Sequence, residues 1–138
     1  MTFLLDTNIL AELRKGSRAD AGVRRWFDAL EAEAIYISVV TIGEIRRGIE
    51  SVRRRDPAAA RSLERWLRDL LADHGDRILA VDLEIAEAWG RLNVPDPLPA
   101  VDGLLAATAK VHGLALATRN VKDVERTGLE VVNPFSSP

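Results

Sequence analysis

Acidic side chains recur directly after short apolar runs or at the start of predicted helices. They are Asp6, Glu44, Asp102 and Asp123, and a polar Asn120 precedes the last of them. Carboxylates gathered in one place repel each other, and their pKa values rise unless a cation neutralises them. Oxygen ligands of this kind suit Mg²⁺ or Mn²⁺. The chemistry they indicate is metal-assisted hydrolysis of a phosphodiester, with a water activated by the cation as the nucleophile.

Each acid also has an ordinary structural role. Asp6 could cap the helix that starts at Thr7 or Asn8, and Glu44 could be the capping-box partner of Thr41. Asp102 could be a first-turn acid that the helix dipole favours. For a single acid the structural role is the more frequent one, so the functional interpretation depends on the four positions together.

Strands and helices alternate along the sequence. Apolar, β-branched runs predict strands at 3–5, 35–38, 78–81, 114–117 and 130–132. Helical spacing predicts helices at about 9–15, 20–32, 41–52, 56–75, 83–93, 100–111 and 121–126, with the third one opened by a Thr41–Glu44 capping box. We therefore expect an α/β fold with a central parallel sheet of four to five strands and helices on both faces. Ligands of such sheets bind at the carboxyl ends of the strands.

Composition limits the class of protein. The 138 residues include no cysteine, so a disulfide framework and a thiolate metal site are excluded. The net charge of −2 means that any nucleic-acid binding must rest on local patches or a metal. There is no export signal at the N-terminus and no unbroken run of roughly 18 apolar residues. We expect one domain over 1–138, in the cytoplasm and without a membrane segment.

Four motifs in order resemble those of PIN domains. They are Leu4-Leu5-Asp6-Thr7-Asn8-Ile9-Leu10, the segment Ser38 to Gly48 around Glu44, Asp102 to Ala109, and Ala117-Thr118-Arg119-Asn120-Val121-Lys122-Asp123, followed by a Val-Val-Asn-Pro-Phe ending. The resemblance spans almost the whole chain, and it is greatest to the VapC-type toxins of bacterial type II toxin–antitoxin systems. It implies a single PIN-like domain.

The resemblance also implies an activity. Asp6, Glu44 and Asp102 would be catalytic and would bind Mg²⁺, for which Mn²⁺ can substitute, in an endoribonuclease that cuts RNA. Asn8 and Thr118 would orient these acids. A VapB-type antitoxin would be the partner, in a homodimer or a toxin–antitoxin hetero-oligomer, with operator DNA reached only through the antitoxin.

The fourth motif departs from the family pattern at Asn120. Many members have an aspartate there, so a second metal position should be weaker or absent, and Asn120→Asp is expected to tighten Mg²⁺ or Mn²⁺ binding. Asp123, one turn further on, could compensate for the missing carboxylate, although capping the helix or facing solvent is favoured.

Three questions stay open at this level. The chain could be a catalytically weak PIN fold that binds its antitoxin in operon autoregulation. The arginines at 46, 47, 53–55, 61, 65 and 68 could guide RNA, although a solvated face paired with Glu50, Asp56, Glu64 and Asp69 is favoured. The apolar faces of the helices at 41–52 and 56–71 could bind a partner or simply pack in the core.

Overall fold

A computed structural model describes residues 1–135, so the last three residues of the predicted domain lie outside the described part of the chain. The strands are β1 Phe3–Leu5, β2 Ile35–Ser38, β3 Ile78–Leu79, β4 Ala115–Ala117 and β5 Val131–Val132. The helices are α1 Thr7–Leu13, α2 Ala21–Asp28, α3 Val39–Arg53, α4 Pro57–His74, α5 Leu83–Leu92, α6 Ala100–His112 and α7 Val121–Val124.

The five strands form one parallel sheet in the order β3-β2-β1-β4-β5. Alternate side chains of β1 point to opposite faces: Phe3 and Leu5 enter one apolar cluster, and Leu4 enters the other. The first cluster lies beneath α1 to α4, and the second lies beneath α6 and α7. The predicted α/β class with helices on both faces is confirmed.

Helix α3 begins two residues earlier than the sequence predicts. Ser38 is its N-cap, and the Ser38 hydroxyl accepts a hydrogen bond from the Val40 backbone N–H at 3.0 Å. Thr41 is instead buried inside the helix, and its hydroxyl has no hydrogen-bond partner among residues 1–135. The predicted capping box is therefore wrong, and Glu44 lies in the second turn with its carboxylate free for other contacts.

Strand β3 is shorter than predicted because its neighbour ends. Leu79 pairs with Ser38, and beyond Ser38 the chain of β2 turns into α3, so Ala80 and Val81 have no strand to pair with. Helix α2 likewise ends at Asp28 and is followed by a separate single turn at Ala32–Ala34. Within residues 1–135, no helix is both long and apolar enough to cross a membrane.

Candidate active site

Asp6 lies where the chain reverses its direction across the sheet. From β1 the chain proceeds first to β2 on one side and later to β4 on the other, which makes the end of β1 the switch point. The Asp6 backbone N–H donates to the Ala117 carbonyl at 2.9 Å, so the carboxyl ends of β1 and β4 are joined there. Its side chain is only 5% exposed, and its Oδ1 caps α1 by accepting from the Thr7 N–H at 2.6 Å.

Two polar side chains fix the other oxygen of Asp6. The Thr118 hydroxyl donates to Oδ2 at 2.7 Å, and the Asn8 amide Nδ2 donates to the same atom at 3.2 Å. Asn8 also approaches the Thr118 Oγ1 at 3.3 Å, and its own Oδ1 accepts from the Arg119 N–H at 3.2 Å. The carboxylate therefore has one orientation, set by residues from the first and fourth motifs.

Glu44 is connected to the same edge through Thr7. The Thr7 hydroxyl donates to Glu44 Oε1 at 2.5 Å, which links the first turn of α1 to α3. Sequence reasoning missed Thr7 as a site residue, although its position directly after Asp6 placed it at the strand end. The two oxygens of Asp6 have different partners: Oδ1 caps α1, and Oδ2 accepts the hydrogen bond from Thr118.

Asp102 lies in the first turn of α6, as predicted. Burial, together with the charges of Asp6, Asp123 and Glu44, raises its pKa from 3.8 to about 6. The proximity of Asp123 also favours the protonated form of Asp102. Asp123 is exposed, as expected, and its charge also acts on Asp102 because α7 packs beside α6. Compensation for Asn120 by Asp123 stays a prediction.

Burial also raises the pKa of Asp6, and the charge of Glu44 adds to this effect. The hydrogen bonds from Thr118, Thr7 and Asn8 act in the opposite direction because they favour the charged carboxylate. Asp6, Glu44, Asp102 and Asp123 thus interact electrostatically, and we call them the acidic cluster. Their oxygens are the ligands that a hard divalent cation prefers, so the residues present fit such an ion.

The carboxylates of the acidic cluster are not close enough together to bind one cation. Within residues 1–135, no three acidic or histidine side chains are close enough to hold one ion together. The Glu44 carboxylate accepts a hydrogen bond from Thr7, and the charge of Asp123 acts on Asp102. Like charges repel, so side-chain rotation must bring Glu44 and Asp102 towards Asp6 before they can share a cation.

Asn120 contacts the candidate site through its backbone. Its N–H donates to the Thr118 Oγ1 at 3.0 Å, whereas its exposed side chain makes no hydrogen bond to any residue of 1–135. The expected weakening of a second metal position by Asn120 stays a prediction.

Two of the eight arginines of the predicted face, Arg46 and Arg53, form ion pairs within residues 1–135. Arg46 and Arg53 both bind Glu50 and Glu64, which link α3 to α4. Asp56 instead caps α4, and Asp69 forms no ion pair with these arginines, so the predicted pairing is correct for the two glutamates only.

A doubly wound parallel sheet with carboxylates at its switch point defines a class of α/β proteins suited to cation-assisted phosphate chemistry. The family profile described as PIN domain matches residues 3–128. The chain belongs to the PIN-domain family.

Comparison with three known proteins shows which members of that family the chain resembles. The chain is 32% identical to the VapC ribonuclease Y4jK of Sinorhizobium fredii, over 96% of each chain. It superposes on the crystal structure of FitAcB from Neisseria gonorrhoeae with a TM-score of 0.90 and 29% identity, covering 99% of this chain and 100% of that one. A toxin–antitoxin complex from Klebsiella pneumoniae matches with a TM-score of 0.74 and 28% identity, over 99% and 100% of the two chains.

Proposed function

We propose that this chain is the metal-dependent endoribonuclease toxin of a type II toxin–antitoxin pair. The observation that carries the proposal is the acidic cluster at the switch point, with Asp6 buried and held by Thr118 and Asn8. The relatives support it, because one is named a VapC ribonuclease and another is part of a toxin–antitoxin complex.

Asp6, Glu44 and Asp102 are the residues that would hold the cation, and Mg²⁺ is the proposed ion, with Mn²⁺ able to replace it. When bound, such a cation lowers the pKa of a water molecule and neutralises charge on the scissile phosphate. The oxygen-only ligand set supports Mg²⁺ over a softer metal.

The chain's own residues prepare this site. Thr118 and Asn8 keep the Asp6 carboxylate in one orientation, and Thr7 holds the Glu44 carboxylate at the N-terminus of α1. Without a cation, burial and the neighbouring carboxylates raise the pKa of Asp102 to about 6. A bound cation would offset this repulsion, and one of the carboxylates would accept a proton from the attacking water.

A groove beside the acidic cluster supports a VapB-type antitoxin as partner. Its volume is about 250 Å³, and Thr7, Arg14 and Glu44 line it together with apolar side chains of α3 and α4 (Ile45, Ile49, Val52, Leu63 and Trp66). Ile49 of α3 and Leu67 of α4 are buried in the same apolar cluster, so core packing accounts for part of these apolar faces. We infer that operator DNA is reached only through the antitoxin.

Exposed apolar residues support self-association. Leu83 and Val94 are 78% and 72% exposed, and Trp89 near them is partly exposed. We propose a homodimer, or a hetero-oligomer with the antitoxin, formed in the cytoplasm by a single PIN domain that spans 1–138.

Cleavage of total RNA by the purified chain tests the function. We expect cleavage that requires Mg²⁺ or Mn²⁺ and falls at least about a hundredfold in Asp6→Asn, since that change removes a buried carboxylate from the proposed cation site. Asp28→Asn, at an exposed acid on α2, is the matched control and should cleave like the wild type. A wild type that binds its antitoxin but cuts no RNA with either ion would favour the catalytically weak binding subunit.

A further inference from the structure

Arg119 stands beside the acidic cluster, and the proposed catalysis does not use it. It follows Thr118, whose hydroxyl holds Asp6, and its backbone N–H donates to Asn8. The side chain is exposed at the carboxyl edge of the sheet. Its position is therefore fixed by the same contacts that orient the Asp6 carboxylate.

An aromatic ring holds the guanidinium group of Arg119. Its Cζ lies 4.5 Å from the centroid of the Phe135 ring. Phe135 is itself half-buried against the apolar cluster beneath α1 to α4, and its backbone N–H donates to the Asn133 side chain at 3.1 Å. The chain segment after β5 thus supplies a fixed platform for a cation that follows β4.

The charge of Arg119 is not neutralised within the described chain. No carboxylate of residues 1–135 forms an ion pair with it, and its guanidinium donates no hydrogen bond to these residues. Arg46 and Arg53, by contrast, are engaged by Glu50 and Glu64. An aromatic partner orients a guanidinium group and leaves its charge and its five donors available.

We propose that Arg119, held by Phe135, binds a backbone phosphate of the RNA substrate beside the acidic cluster. A planar guanidinium group matches the geometry of phosphate oxygens, and a cation here offsets the repulsion between RNA and the neighbouring carboxylates. This inference rests on the proposed ribonuclease function. Arg119 is a substrate-binding residue, so it acts on the affinity for RNA and not on bond cleavage.

Steady-state cleavage of a short, fluorescently labelled single-stranded RNA of random sequence, measured at several KCl concentrations, tests the proposal. In Arg119→Ala we expect KM to rise about tenfold, because a charge-assisted hydrogen bond to the phosphate is lost, while kcat stays within about twofold. The slope of log(kcat/KM) against log[KCl] should become shallower by about 0.7, the contribution of one phosphate contact in single-stranded RNA.

Three further variants separate this effect from a structural one. Arg68→Ala removes an exposed, unpaired arginine of α4 and should change neither KM nor the salt slope. Phe135→Leu keeps apolar packing but loses the aromatic face, so KM should rise about threefold with the slope unchanged. Arg119→Lys keeps the charge but loses the planar guanidinium group, so KM should rise about threefold while the slope stays the same.

The outcomes distinguish the two levels of the account. A KM and a salt slope in Arg119→Ala equal to those of Arg68→Ala would overturn the inference while leaving the ribonuclease function in place. If Arg119→Ala unfolds, an unchanged KM in both Phe135→Leu and Arg119→Lys would overturn it equally. A wild type that cleaves no RNA with Mg²⁺ or Mn²⁺ would remove the proposed function, and this inference with it.

Discussion

Asp102 is an acid whose pKa is strongly raised by its surroundings. Its pKa is raised from 3.8 to about 6 because it is partly buried and faces other carboxylates. Between these two pH values the folded chain binds a proton that the unfolded chain has lost. Without a divalent cation, this group therefore makes the folded state less stable as the pH rises from about 4 to 6, and the loss persists above pH 6.

Asp102→Asn should remove this pH dependence. We expect the variant and the wild type to be equally stable near pH 4, and the variant to be more stable by about 1 kcal/mol at about pH 7.5, after allowance for solvent screening. Denaturant unfolding in EDTA at both pH values measures the difference. Addition of Mg²⁺ at the higher pH should stabilise the wild type only. A variant no more stable than the wild type at about pH 7.5 would show that the charged Asp102 carboxylate does not destabilise the folded state.

Thr118 is the second residue whose removal is informative. Its hydroxyl donates to Asp6 at 2.7 Å, so Thr118→Val should raise the pKa of Asp6 further and loosen the orientation of its carboxylate. We expect Mg²⁺ affinity and RNA cleavage to fall about tenfold to a hundredfold, with the acid limb of the pH–rate profile moved to higher pH. Thr108→Val, at a buried threonine bonded only to its own helix at Leu104, is the control. Equal activity in the two variants would contradict a role for Thr118 in orienting Asp6.

Sequence reasoning located the acids but not the partners of two of them. Asp6 could be placed at the sheet edge because an apolar run and a strand end are local features. The Thr7–Glu44 bond joins residues 37 positions apart, and the Asp123–Asp102 contact depends on how α7 packs beside α6. Such contacts are set by tertiary packing and leave no trace in local spacing.

At the scale of elements, the start of α3 shows the same limit. Ser38 and Thr41 are both suitable N-caps, and the sequence alone favoured Thr41 because Glu44 follows it at capping-box spacing. The end of β2 decides between them, since the parallel pairing of β2 continues to Ser38 and the helix starts at once. The parallel sheet and the helices on both faces were predictable in class because alternating strands and helices have few packing solutions, whereas the order of the strands was not predicted.

Helix α6, which carries Asp102, is positioned by a close contact at Gly103. A Cβ atom there would lie 3.1 Å from the Trp89 Nε1 and 3.2 Å from its Cδ1, so an alanine would require the Trp89 side chain of α5 to shift by a few tenths of an ångström. Gly48 in α3 has nothing within 4 Å of the corresponding point. The two glycines therefore provide a matched pair of helical sites, one crowded and one open.

Alanine substitutions at these glycines should differ in effect. Gly48→Ala should stabilise the chain by about 0.5–1 kcal/mol, the ordinary gain from alanine in a helix. Gly103→Ala should gain less than Gly48→Ala by about 1 kcal/mol, because Trp89 must shift to make room. Denaturant unfolding measures both. An equal gain at the two sites would mean that the α5–α6 contact does not constrain the helix that carries Asp102.

At the scale of the whole molecule, the charge distribution explains how a chain with a net charge of −2 could act on RNA. The charges of Asp6, Glu44 and Asp123 act on Asp102 at one edge of the sheet, and Arg46 and Arg53, which link α3 to α4, are paired with glutamates. Productive binding must then depend on a cation at the acidic cluster and on local positive charge beside it. We propose that this edge of the sheet hydrolyses RNA with water and a divalent cation.

The chemical ends of the cleaved RNA distinguish attack by water from attack by the neighbouring 2′-hydroxyl. Attack by water needs no 2′-hydroxyl, so the fragments should carry a 5′-phosphate and a 3′-hydroxyl, and cleavage should stop in excess EDTA. Labelling the fragment ends with and without prior phosphatase treatment identifies them. Fragments with 2′,3′-cyclic phosphates and 5′-hydroxyls, or full activity retained in EDTA, would contradict the account.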